Sequence, residues 1–289
     1  MKMKRVLALM LSSAMICATV PAEVLAAEEI SVDADENAAQ LLLDQDEIHV
    51  EYRGIAEYSS ESWIINLYVE NNTQNDFYFS IRNVVVNGCV ISVANNGSTI
   101  QAGSNWLAEP GFKLVLDTDK LAAYDISQIT DINFDIDIST EMFGDEILTQ
   151  SVRINNVNKD YLGELKNKQK GTVLLDSDDA YVEYYGISEY SSQSWIVDLY
   201  VENRRDTEIC LALADTLIDN NDIGLANNYV TIPAHAKYMT EPNFQMVLDT
   251  DDLNTYGISA INKISGNLKL QTSFGGDVIS ETKVELDNK

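Results

Sequence analysis

The sequence predicts an all-β protein made of two tandem β-sandwiches, and three observations predict it. The chain repeats itself at a spacing of 132 residues. Each copy is a succession of short runs in which apolar and polar residues alternate with the period of two that buries one face of a strand. Gly, Asn and Asp punctuate those runs at intervals suited to hairpins and sandwich loops.

The repeat sets the organisation. Residues 43–154 align with 175–286 without a gap, and 46 of the 112 pairs are identical. Val50-Glu51-Tyr52 recurs as Val182-Glu183-Tyr184, Leu67-Tyr68-Val69-Glu70-Asn71 as Leu199-Tyr200-Val201-Glu202-Asn203, and Val115-Leu116-Asp117-Thr118-Asp119 as Val247-Leu248-Asp249-Thr250-Asp251. A unit of this length exceeds the ~20–50 residues of a solenoid repeat and suits one independent domain. The expected plan is a signal peptide (1–26), an acidic N-terminal segment (27–42), repeat 1 (43–154), a lysine-bearing linker (155–174) and repeat 2 (175–289).

The first residues carry a secretory signature: Lys2, Lys4 and Arg5, then an apolar run over 6–20, then Val24-Leu25-Ala26 with cleavage expected after Ala26. Ser12 and Ser13 interrupt the apolar run, which is shorter than the ~20 residues of a membrane span. Secretion without a stable membrane span is therefore expected once the leader is removed. Losing residues 1–26 removes three bases and one acid, which moves the net charge from −27 to −29. Such a charge repels nucleic acid and anionic lipid, and it leaves basic partners or cations as candidates.

Within repeat 1 the elements follow in order. Trp63, Ile65, Leu67 and Val69 alternate with Ile64, Asn66, Tyr68 and Glu70 as one strand, and residues 77–86 form a second. Asn87-Gly88 is a strong hairpin signal, with residues 89–94 expected to return as a strand. Copy two has Asp219-Asn220 there, which leaves its turn type open. Residues 112–116 read as a further strand, after which Asp117-Thr118-Asp119 caps a helical turn over Leu121 and Tyr124. Ile132, Phe134, Ile136 and Ile138 alternate with polar neighbours, and a last strand follows Gly144-Asp145. The expectation is about seven strands and one short helical turn per copy, an Ig-like sandwich without the paired cysteines of antibody-type domains.

With these motifs in view, the order Tyr-x-Gly-Ile, Leu-Tyr-Val-Glu-Asn-Asn, Val-Val-Val-Asn-Gly-Cys and Leu-x-x-Tyr-x-Ile-x-x-Ile resembles Ig-like tandem repeats of secreted proteins and lipoproteins of Gram-positive gut bacteria and other clostridia. The resemblance implies a fold and an extracellular location. It carries no activity and no site residues.

Few residues point to catalysis. His49 aligns with Tyr181 and His235 with Gly103, so neither copy shares a histidine with the other. No nucleophile elbow or zinc-ligand spacing is present, and neither catalytic residue, metal ligand nor cofactor is expected. Cys89 and Cys210 occupy non-equivalent positions and read as isolated thiols, with a single inter-repeat disulfide as the alternative. Asp135 and Asp137 become Asn267 and Lys269 in copy two, which reads as a solvated strand face. Asp117-x-Asp119 and Asp249-x-Asp251 read as helix caps, with calcium as the alternative.

The block Glu57-Tyr58-Ser59-Ser60-x-Ser62-Trp63, present in both copies, has two readings. It is an exposed aromatic loop for a sugar or a protein, or Trp63 and Trp195 fill the core while Tyr58 and Tyr190 close the sandwich end. Tyr68 and Tyr200 face outward, as an apolar stripe under the helical turn or as a binding surface. The candidate binding residues are Tyr58, Tyr68, Trp106, Tyr190, Tyr200 and Tyr238. The function expected is a non-catalytic binding or adhesion module for a protein or glycan partner. The alternatives are a spacer in a cell-envelope assembly and a carboxylate-dependent hydrolase.

Overall fold

The structure is a computed structural model that describes residues 29–35, 38–160 and 171–288. The expected signal peptide and half of the expected linker (161–170) lie outside the described residues.

Among the described residues the chain is all-β with two short helices. In repeat 1 the elements are β1 (Ile30–Asp33), β2 (Gln40–Gln45), β3 (Ile48–Ser59), β4 (Ser62–Asn71), β5 (Phe77–Val86), β6 (Cys89–Val90), β7 (Gly97–Ile100), β8 (Ser104–Leu107), β9 (Val115–Asp117), α1 (Thr118–Ala123), β10 (Gln128–Ile129), β11 (Ile132–Ser139), β12 (Glu146–Asn155) and β13 (Lys159–Asp160). Repeat 2 runs β14 (Thr172–Asp176), β15 (Ala180–Ser191), β16 (Ser194–Asn203), β17 (Ile209–Ile218), β18 (Asn221–Asp222), β19 (Tyr229–Ile232), β20 (Lys237–Met239), β21 (Val247–Asp249), α2 (Thr250–Thr255), β22 (Lys263–Gln271) and β23 (Val278–Asp287).

In each repeat one sheet is built on the long first hairpin, in the order β2-β3-β4-β8 or β14-β15-β16-β20, with β9 or β21 also pairing the hairpin's second strand. The opposing sheet is built on β12-β11-β5 or β23-β22-β17. Apolar residues of the two sheets form one buried cluster per repeat. Ile65, Leu67 and Val69 are fully buried while Asn66, Tyr68 and Glu70 are half-exposed, as the alternation requires.

Several details differ from the sequence expectation. More than seven strands form per repeat, because the connections contribute pairing segments of two to four residues. The strand expected over 89–94 stops at Val90, and the one expected over 112–116 begins only at Val115. Phe112 and Leu114 break it, since both have left-handed backbone (φ 49° and 54°). Residues 30–33, read as part of an acidic segment, pair in parallel with β12. The two hairpin turns are of the same kind: Asn87 and Gly88 (φ 49° and 76°) and Asp219 and Asn220 (φ 48° and 67°) all adopt the positive φ of a type I′ turn. The caps form as expected, with Asp117 Oδ1 accepting from Asp119 N (2.9 Å) and Asp249 Oδ1 from Asp251 N (2.8 Å).

The repeats meet edge to edge. Cys89 of β6 pairs in parallel with Lys237 of β20, and Lys237 N donates to Gly88 O (2.8 Å). This joins one sheet from each repeat into a single eleven-stranded sheet. A polar knot closes the junction. Tyr124 Oη donates to Val90 O (3.0 Å) and accepts from Met239 N (2.7 Å), while Asn243 Oδ1 accepts from Ser92 N (2.9 Å). Asn243 Nδ2 reaches Met239 O (2.8 Å) and Tyr124 Oη (3.2 Å). Cys89 and Cys210 are both buried, and among the described residues no disulfide links the repeats.

Candidate functional site

An aromatic tip, present in both repeats, is the candidate site. The β3–β4 hairpin ends in a tight turn, where Glu61 N donates to Ser59 Oγ (3.2 Å), and Tyr58 projects from it. Beside it runs Glu109-Pro110-Gly111-Phe112. Phe112 N donates to Glu109 O (3.2 Å) and Lys113 N to Ala108 O (3.1 Å), which tightens the loop. The Asn95 side chain holds Phe112 O (3.1 Å) while Asn95 O accepts from Leu114 N (3.1 Å). The result throws Phe112 outward and plants Leu114 in the core, fully buried.

Tyr58 and Phe112 then touch, ring centroids 4.5 Å apart and tilted by 46°. Repeat 2 builds the same tip. Tyr190 and Phe244 lie 4.9 Å apart at 52°, Phe244 N donates to Glu241 O (3.2 Å), Asn227 Nδ2 donates to Phe244 O (3.2 Å), and Met246 is the buried anchor. Exposure decides how the pairs read: Tyr58 is 59% and Phe112 37% exposed, Tyr190 49% and Phe244 41%. Apolar rings held in water twice over are not core. Phe244 also repeats the left-handed backbone of Phe112, with φ 55°. A bulky L-residue there costs about 1–2 kcal/mol, and strain of this kind gathers at functional positions.

The structure separates the six candidate residues. Tyr58 and Tyr190 stand at the tips and do not close the sandwich end, since Trp63 beneath is buried and the tyrosines are not. Tyr68 lies five positions beyond Trp63, ~16 Å along the strand, half-exposed, with the Arg53 guanidinium 3.9 Å from its ring centroid and its hydroxyl donating to Glu70 Oε1 (2.5 Å). Tyr200, its counterpart, packs against the core of repeat 1 at the junction, and burial pushes its phenol well up. Trp106 packs on Phe79 (5.8 Å), and Tyr238 is buried in the core of repeat 2. The six therefore make no coplanar platform. Phe112 and Phe244 were missed because they were read as the start of a strand. The shared Glu-Pro-x-Phe at 109–112 and 241–244, a proline-started turn, was the signal that could have found them.

The titratable groups serve structure. His49 Nε2 lies 3.0 Å from Glu51 Oε1, and this bond holds the imidazole above its ordinary value. Glu51 is lowered by His49 and then by Arg53. Asp135 and Asp137 join cross-strand networks: Asn83 Nδ2 donates to Asp135 (2.7 Å), Ser151 Oγ to Asp135 (2.6 Å), and Arg82 to Asp137 (2.8 Å). In repeat 2 the polarity is reversed, with Asn267 Nδ2 donating to Asp215 (2.9 Å). Among the described residues no three His, Cys, Asp or Glu side chains are placed to hold a metal ion, and no helix is long and apolar enough to cross a membrane.

No family model and no curated protein matches the chain. Among solved structures it is similar to the YadV chaperone, at 10% identity and TM-score 0.26, over 82% of this chain and 100% of that one. The CsuC-CsuE chaperone–tip adhesion subunit pre-assembly complex from archaic chaperone-usher Csu pili of Acinetobacter baumannii is 9% identical, with TM-score 0.21 over 90% and 96%. The CupB2 chaperone of Pseudomonas aeruginosa is 8% identical, with TM-score 0.21 over 78% and 92%. Likenesses at these scores carry no argument about what the chain does.

Proposed function

We propose that the chain is a secreted, non-catalytic binding module whose two repeats each press a Tyr–Phe wedge into a protein partner. One observation carries this reading: the same exposed pair, Tyr58–Phe112 and Tyr190–Phe244, is built twice on a left-handed phenylalanine. Strain kept in both copies without burial supports a role outside the fold. The geometry also favours protein over glycan. A sugar ring stacks on a flat face, whereas rings tilted by 46° and 52° make a wedge suited to an apolar pocket. Two wedges on one chain add avidity wherever a partner presents two pockets.

The test is capture of an extracellular protein partner by the mature chain, repeated with Tyr58→Ala, Tyr190→Ala and the double variant. Each single change is expected to weaken capture about tenfold and the double change to abolish it. Capture that is indifferent to the double change overturns the reading, and binding on a glycan array with no protein captured moves it to a carbohydrate. A spacer role is the second reading. The observation that favours it is the junction, where a shared sheet and a buried hydrogen-bond knot hold the repeats in a fixed relation.

A further inference from the structure

The two tips share their rings but not their charge. Around each lie the hairpin turn (57–63 or 189–195), the loop that carries the phenylalanine (109–113 or 241–245) and the capped helix (117–123 or 249–255). These three segments meet at one end of the sandwich. In repeat 2, Thr250 N donates to Gln193 O (3.0 Å), Ser194 pairs opposite Asp249, and Phe244 N donates to Glu241 O (3.2 Å). In repeat 1, Thr118 N likewise donates to Glu61 O (3.1 Å).

The repeat 1 segments hold five acids, Glu57, Glu61, Glu109, Asp117 and Asp119, and two bases, Lys113 and Lys120. The ammonium of Lys159 adds positive charge there, 2.9 Å from Glu57 Oε1 and 5.4 Å from the Trp63 ring centroid. The repeat 2 segments also hold five acids, Glu189, Glu241, Asp249, Asp251 and Asp252, but no base. Two substitutions inside the repeat make this difference: Gln245 stands where repeat 1 has Lys113, and Asp252 where it has Lys120. All five of these carboxylates are at least partly exposed. Bases of repeat 2 stand elsewhere, Arg204 with Asp176 (2.8 Å), Lys263 with Glu285 (2.7 Å) and Lys269 with Glu281 (3.5 Å). The Tyr190–Phe244 pair is therefore framed by charge of one sign.

We propose that the Tyr190–Phe244 tip docks a basic surface: an apolar pocket on a partner protein whose rim carries lysine or arginine side chains. This rests on the reading of the tips as protein-binding wedges, and it names the partner's chemistry at one of them. Carboxylates around an exposed apolar pair select a rim of opposite charge and reject an acidic one. They act over about 8–10 Å at ordinary salt, so they govern the rate of encounter and its salt dependence, while the rings supply the grip. The Tyr58–Phe112 tip, which carries bases among its acids, docks with little dependence on salt.

The test uses the full mature chain with the photo-crosslinking residue p-benzoylphenylalanine in place of Tyr190 or, separately, of Tyr58. Each is irradiated with extracellular proteins at about 50 and about 500 mM salt, and the joined peptides are sequenced by mass spectrometry. Peptides joined at position 190 are expected to carry Lys or Arg beside the apolar contact, and their yield to fall roughly tenfold at the higher salt. Gln245→Lys with Asp252→Lys, which gives repeat 2 the bases of repeat 1, is expected to lower that yield by a similar factor at low salt. The yield at position 58 is expected to change by less than about twofold in either case, which also reports that the variant chain is folded. Neutral or acidic peptides at position 190, or a yield there indifferent to salt and to the two lysines, overturn the basic pocket and leave the wedges in place. Equal salt dependence at both positions overturns the assignment to one tip. No crosslink at either position overturns the wedges and the basic pocket together.

Discussion

Phe112 and Phe244 hold a backbone conformation better suited to glycine or asparagine, and their rings are largely in water. Asparagine at either position relieves about 1–2 kcal/mol of strain and gives up a ring contact of about 0.5–1.5 kcal/mol. Phe112→Asn is therefore expected to stay within about 1 kcal/mol of the parent in urea unfolding, while capture of a partner through that tip is lost. Destabilisation by several kcal/mol would instead make Phe112 a structural residue. The buried thiols give a second test at this scale. Burial, and then Glu208, raise the Cys210 pKa, and Cys89 is equally enclosed. Both should react with a thiol reagent only after unfolding, with two added labels counted by mass on the chain lacking residues 1–26.

His49 adds a pH dependence whose sign follows from its raised pKa. Its contribution is complete below its ordinary 6.5 and is lost as pH rises through the folded value. Glu51, lowered, contributes above its ordinary 4.5 and loses that as pH falls. The pair is thus strongest between those values. Tyr181 replaces the histidine in repeat 2 and donates to Glu183 (3.1 Å), and burial and then that bond raise its phenol. His49→Tyr is expected to flatten the drop in melting temperature between pH 6 and 8. The difference amounts to less than about 1 kcal/mol for a pair whose side chains keep about a quarter of their surface in solvent.

At the scale of elements, the asparagines ending β4 and β16 hold loops that share no residue between copies. Asn71 Nδ2 donates to Asn75 O (2.9 Å) and Ile100 O (3.0 Å), and its Oδ1 accepts from Thr73 N (3.0 Å). Asn203 Nδ2 reaches Thr207 O (2.8 Å) and Ile232 O (3.0 Å), and its Oδ1 accepts from Arg205 N (2.9 Å). Residues 72–75 and 204–207 differ at every position, so a strand-end side chain fixes the turn in place of the loop's own sequence. Asn71→Ala or Asn203→Ala leaves buried carbonyls and amides unpaired and is expected to cost about 2–4 kcal/mol, measured by denaturant unfolding. The repeated Leu-Tyr-Val-Glu-Asn block was plain in the sequence. The role of its last residue was not, because its partners lie up to 30 residues away.

At the scale of the molecule, the two copies are not interchangeable at their junction. Where repeat 2 offers Asn243, repeat 1 has Gly111; where repeat 1 offers Val90, repeat 2 has Asp222. Tyr124 is buried in the junction, while its counterpart Tyr256 is 51% exposed. Asn243→Gly, which installs repeat 1's residue, is expected to weaken the junction by about 2–3 kcal/mol through lost buried hydrogen bonds. Small-angle scattering should then broaden the spread of inter-repeat distances, while each repeat keeps its strand signal by circular dichroism.

Alternating side chains, the 132-residue repeat and the turn residues determined the all-β class, the long hairpins and the helix caps, because each depends on neighbours a few positions apart. Only the tertiary structure decided which aromatics reach solvent, that Phe112 completes the tip with Tyr58, that Tyr238 and Tyr200 are covered, and that Lys159 lies over Trp63. Those outcomes turn on contacts between segments tens of residues apart and on left-handed backbone held by a distant asparagine. The local Glu-Pro-x-Phe pattern marks the turn but not the distant partners that fix it.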